Sequence, residues 1–164
     1  MSKVLPTSLC ALAGFLVVGL PSAADVLVSP GTVEKVVSME YEDGSTETEY
    51  LPTETVEPGE ELAYVVNFRN EGSQSENGVM MTVPVPDDMV YVENSVTAYD
   101  ASVEFSVDGG ATFAPRDGLV VADGDTVRPA SADEITHVRW TFTRVVAGEQ
   151  GTLAFHAVLT DRAL

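Results

Sequence analysis

Cysteine occurs once, at Cys10, inside an N-terminal apolar run. No thiol lies downstream of it, which excludes thiol catalysis, Cys-ligated zinc, iron–sulfur chemistry and internal disulfides there. Cationic residues are scarce too: 8 Lys and Arg stand against 26 Asp and Glu, a formal net charge of −18. Phosphate backbones and anionic lipid repel such a chain, so nucleic acid and membrane surfaces are poor partners. Cations, basic proteins or a salty medium suit it better. The acids are spread along the chain rather than gathered in a tail, which reads as a solvated surface. No apolar run reaches the ~20 residues a membrane-spanning helix needs. The longest, residues 9–20, has 12. Helical periodicity is absent beyond it.

That short run defines the first segment. Lys3 supplies a positive n-region, residues 9–20 the apolar stretch, and Pro21-Ser22-Ala23-Ala24 the small residues of a cleavage site. Residues 1–24 are expected to be a secretory signal peptide cut after Ala24, with no membrane insertion afterwards. Leu9 before Cys10 is too large for the usual lipoprotein cleavage site. The remaining 140 residues, at −19 once Lys3 is gone, form one domain able to bury about two-thirds of its unfolded surface. Residues 25–55 are expected to be N-terminal strands joined to a sandwich core over 56–164.

Strand patterning dominates. Leu62, Tyr64, Val66 and Phe68 alternate with Ala63, Val65, Asn67 and Arg69, the mark of a strand with one buried face. After Asn70-Glu71-Gly72-Ser73, a second apolar run over 79–85 predicts an antiparallel partner for it. Residues 33–41 and 46–51, joined by Glu42-Asp43-Gly44-Ser45, predict a hairpin, since Asp-Gly tolerates tight-turn backbone. The pattern predicts that this N-terminal arm pairs within its own sheet; the alternative is insertion beside a neighbouring subunit's edge. Short strands are predicted at 89–92, 95–99, 103–107, 111–113, 119–122 and 126–128. Trp140 lies among Val138 and Phe142 on the inward face of a strong strand, followed after Ala147-Gly148-Glu149-Gln150-Gly151 by another over 152–159. Strands at this density, punctuated by Gly, Pro, Asn and Asp, predict an all-β antiparallel sandwich.

Several spaced motifs resemble one family. Val56-x-Pro58-Gly59-Glu60, Tyr64-x-Val66-x-Phe68-x-Asn70-x-Gly72, Val83-x-Val85-Pro86 and Tyr91-Val92 are similar to the bacterial conserved-repeat domain, domain of unknown function eleven. His137-Val138-Arg139-Trp140 and Ala147-Gly148-Glu149-x-Gly151-Thr152-Leu153-x-Phe155 are similar to its last two strands. The resemblance covers about residues 56–159, in one copy. It implies an immunoglobulin-like sandwich of a secreted or cell-surface protein and assigns no activity.

Motifs that could carry chemistry are few. Ser106-Val107-Asp108-Gly109-Gly110-Ala111-Thr112-Phe113 fits the Asp-box pattern, in which an aspartate gathers turn amides and the aromatic pins the hairpin to the core. That is a structural role. Asp43, Asp87, Asp88, Asp117, Asp123, Asp125, Asp133 and Glu134 fall in loops, yet no pair is marked for acid–base work. Calcium is the cation their hard oxygens would suit, but D-x-[DN]-x-[DN]-G is absent and a solvated surface is the favoured reading. His137 and His156 come face to face if their strands form a hairpin with Trp140 opposite Leu153, though no third metal ligand accompanies them. Met39, Met80 and Met81 read as packing rather than copper ligands, and no nucleophile motif such as G-x-S-x-G occurs. No catalytic, cofactor-binding or metal residue is assigned. The expectation is a non-enzymatic structural or adhesive module in the periplasm or on the cell surface, with envelope or matrix proteins, or its own copies, as partners. The alternatives are a cation- or carbohydrate-binding module and a strand-exchanged filament subunit.

Overall fold

A computed structural model describes residues 26–28, 32–41, 43–53 and 55–160; the expected leader, residues 1–24, lies outside them. Among the described residues, eleven strands account for the regular structure, with two single 3-10 turns at Arg116–Gly118 and Ala132–Glu134. In chain order they are β1 (Val26–Val28), β2 (Thr32–Glu40), β3 (Thr46–Pro52), β4 (Glu61–Asn70), β5 (Glu76–Pro84), β6 (Met89–Tyr91), β7 (Ser102–Ser106), β8 (Val120–Asp123), β9 (Thr126–Pro129), β10 (His137–Val145) and β11 (Gln150–Leu159). The larger sheet runs β3-β2-β4-β11-β6, with β1 also on β4 beside β2; the smaller runs β5-β10-β7, and β8-β9 form a separate ribbon. All pairings are antiparallel.

The two main sheets face each other across one core, as the alternation in β4 and β10 predicts. Leu62, Tyr64, Val66 and Phe68 look inward, with Leu153, Phe155, Ala157 and Leu159 from β11. Val79, Met81 and Val83 of β5 and Val138, Trp140 and Phe142 of β10 answer them. Rings bridge the layers: Phe68 and Phe142 lie 4.9 Å apart, Tyr91 and Phe105 5.2 Å, Trp140 and Phe155 6.4 Å. Trp140 is fully buried, and its indole N–H donates to the Thr97 carbonyl at 2.8 Å. The fold is an antiparallel β-sandwich.

Two expected hairpins are arches instead. β4 and β5 do not pair; β4 bonds to β11 and β2, and β5 to β10. β10 and β11 likewise fall in opposite sheets. A hairpin would place both apolar faces on one side of one sheet, whereas an arch turns them toward each other and fills a sandwich. Asn70, wholly buried, fixes the geometry of both connections. Its Nδ2 donates to the carbonyls of Gln74 and Val145, and its Oδ1 accepts from Gly72 N–H. Its backbone N–H donates to Glu149 O, and its carbonyl accepts from Gly148 N–H. Residues 95–99 are not a strand either; Thr97 makes an isolated bridge to Ala154. Residues 111–113 form no strand, because Asp108 captures the turn, and Ala114 closes it with a bridge to Phe105.

Candidate interaction surface

Two exposed ribbons stand out among the described residues: β8–β9, in which every residue but Val121 is exposed, and the β2–β3 hairpin, which carries more of the exposed large apolar side chains. β2 is anchored to β4 only through Thr32–Lys35, paired with residues 62–65. Its pairing with β3 continues through Val36↔Tyr50 to Glu40↔Thr46, five pairs without a third strand, or about 17 Å of ladder. The Asp43-Gly44 turn closes it: Gly44 takes φ 79°, and Asp43 accepts from both the amide and the hydroxyl of Ser45. A salt bridge from Lys35 to Glu60 and an edge contact of Tyr50 with the His156 ring at 5.8 Å hold its base.

Every residue of β3 is exposed, and its outer edge pairs with no described strand. Met39, Tyr41, Tyr50 and Leu51 are four of the eight exposed large apolar residues among the described positions. The register puts Met39, Glu47, Glu49 and Leu51 on one face, and Val36, Ser38, Thr46, Thr48 and Tyr50 on the other. An isolated two-stranded ribbon is marginal in water. This one therefore presents both an apolar surface and an open row of backbone donors and acceptors.

A second feature is a depression of about 640 Å³ lined by Val28, Asn67, Arg69, Glu71, Gln150 and Thr152, among others. Thr152 Oγ1 donates to Asn67 Oδ1 at 2.7 Å. Lys35, Arg116, Arg128 and Arg139 each pair with a carboxylate, whereas Arg69 has no such partner among the described residues.

The Asp-box residues close on themselves. Asp108 accepts from the Thr112 amide and hydroxyl at 2.9 and 2.6 Å and from the Ser106 hydroxyl at 2.7 Å. These bonds, Thr112 foremost, hold its carboxyl well below the usual carboxylate range. Phe113 does not enter the core. It lies under the Arg139 guanidinium at 3.8 Å on the outer face of the smaller sheet, where Arg139 also pairs with Glu104 at 2.7 Å.

The histidines are not brought together, because β10 and β11 belong to different sheets. His137 packs on the Asp-box loop, with Nδ1 3.1 Å from Thr136 Oγ1, and burial pushes its pKa down. His156 sits on the larger sheet with Nδ1 2.7 Å from Glu61 Oε1. Among the acidic loop residues, Glu134 is committed to Arg128 and to the Ser131 amide and hydroxyl, which bring its pKa to about 2. No group of three or more His, Cys, Asp or Glu suited to a metal converges among the described residues. Residue-by-residue reading missed the overhang of the hairpin, since alternation marks strands but not where their third neighbour stops.

Comparison with protein-family models, with curated proteins and with solved structures finds no match.

Proposed function

We propose that this chain is an exported, non-catalytic structural or adhesive module of a bacterial envelope or extracellular matrix. The projecting β2–β3 hairpin carries the reading. A fold that commits its core to one sandwich, yet extends an uncovered ribbon with half of the exposed large apolar residues among the described positions, is built for contact with another protein. The closed Asp-box turn and the separated histidines fit a scaffold better than a reaction centre. The leader-like residues 1–24 and the resemblance to conserved-repeat domains support export. Fractionating cells that express the full chain, with mass spectrometry of its N-terminus, tests this. The reading expects a product beginning at Asp25 in the periplasm or outside the cell. Cytoplasmic protein retaining Met1 to Ala24 contradicts it.

Carbohydrate binding is the second reading, and the depression at Arg69 favours it. Amide, hydroxyl and guanidinium groups line one recess there, a mixture suited to sugar hydroxyls or an acidic sugar. Retention on polysaccharide columns that is lost in Arg69→Ala would move the balance to it.

A further inference from the structure

We infer that the outer edge of β3 is a docking site for an extended, basic strand of another protein, which joins the larger sheet beside β3. The inference rests on the interaction-module reading and names its partner chemistry. An added antiparallel strand places its side chains directly opposite those of β3, alternately on the two faces. On one face it meets Glu47, Glu49 and Leu51, and on the other Thr46, Thr48 and Tyr50. Opposite charges across a ladder stabilise it, and like charges oppose it. The complementary strand therefore carries Lys or Arg at alternate positions facing Glu47 and Glu49. Hydroxyl, β-branched or aromatic residues facing Thr46, Thr48 and Tyr50 complete it.

Charge decides against a second copy. Residues 32–52 hold six acidic residues and one lysine, and that lysine is engaged with Glu60. In the antiparallel register that pairs all of β3 with itself, Glu49 faces Glu49. Glu47 of each copy also comes within a Debye length of the other copy's Glu49. A basic strand meets the opposite situation: the field of a −18 chain draws it in, and Met39 and Tyr41 extend an apolar surface beyond the charged rung. Glu47 and Glu49 also discourage identical edges from pairing, so one pair of residues serves specificity in both directions.

The probe is a synthetic peptide, Thr-Val-Tyr-Lys-Thr-Lys-Thr, whose lysines face Glu49 and Glu47 in the antiparallel register, added to the full chain at low ionic strength. Anisotropy reports binding, and hydrogen exchange reports the amides of β3. Saturable binding is expected, with slowed exchange confined to amides of residues 46–51, and with affinity reduced about tenfold or more in the exposed double variant Glu47→Lys/Glu49→Lys. A peptide of the same composition, N-methylated at alternate residues, keeps the charge but cannot form the ladder, and it should not protect β3. Equal binding by both peptides, or binding without protection of β3, overturns the inference in favour of diffuse charge attraction. Concentration-dependent dimers of the chain alone that protect β3 overturn it in favour of a second copy. None of these outcomes touches export, so cell fractionation still judges the module reading separately.

Discussion

Truncating Trp140 to alanine should remove the largest single packing element of the sandwich. The indole is fully buried between Val138 and Phe142 on its own strand and meets Phe155 across the core at 6.4 Å. Deleting a buried aromatic of this size costs about 3–5 kcal/mol through lost transfer energy and a residual cavity. The Thr97 carbonyl also loses its indole donor at 2.8 Å; Thr97 is exposed, so water takes up the freed acceptor and the lost bond adds about 1 kcal/mol or less. With a urea slope of about 2 kcal/mol/M, the unfolding midpoint should fall by about 2 M, a large share of a typical domain's 5–15 kcal/mol. Trp140→Phe keeps a ring but not the N–H donor, and should cost less than half as much. Trp140 is the only tryptophan, so far-ultraviolet circular dichroism is the assay. A midpoint shift under about 0.5 M for Trp140→Ala, with an unchanged slope, would refute the packing argument.

A Cβ at Gly151 would fall 2.7 Å from the Phe68 ring, so Gly151→Ala should lower stability by about 1–3 kcal/mol in the same titration; a neutral result means that the ring has room to move. Asp108, with its carboxyl depressed mainly by Thr112, stabilises the fold above the unfolded carboxylate pKa of about 4 and loses that contribution as pH falls. Asp108→Asn should therefore melt lower than the parent at pH 7, with the gap narrowing toward pH 2; a gap independent of pH contradicts the linkage. Tyr64 is pushed up to about 12, mainly by burial, so its contribution is lost as pH rises from about 10 through 12, and Tyr64→Phe should flatten that alkaline decline in melting temperature. Sodium chloride should raise the melting temperature by screening a −18 chain. Calcium should add nothing at matched ionic strength; a calcium-specific rise would restore a cation site in the acidic loops.

Much of the sandwich was legible because burial writes a period of two into β4, β10 and β11, and Asp43-Gly44 marks its hairpin turn. The arches were not. A polar break between two half-buried strands looks the same whether the chain folds back within a sheet or crosses to the opposite one, and here the choice depends on the buried side chain of Asn70. That same ambiguity placed His137 opposite His156, two residues that the structure puts on different sheets. Phe113 was assigned to the core from its motif, but the nearby Arg139 offers its guanidinium face instead. The β2–β3 overhang was illegible for a different reason: the strand pattern continues unbroken past Lys35, where pairing to β4 ends.

A photo-crosslinking residue at Thr48, on the open edge of β3, puts the proposed role to its most direct test in cells, with the same group at Thr141 on the smaller sheet as control. The account predicts adducts from Thr48 and not Thr141, joined to an extended segment with alternating basic residues in an envelope or matrix protein. Adducts that are equal at both positions, or that join Thr48 only to acidic or helical segments, would contradict it.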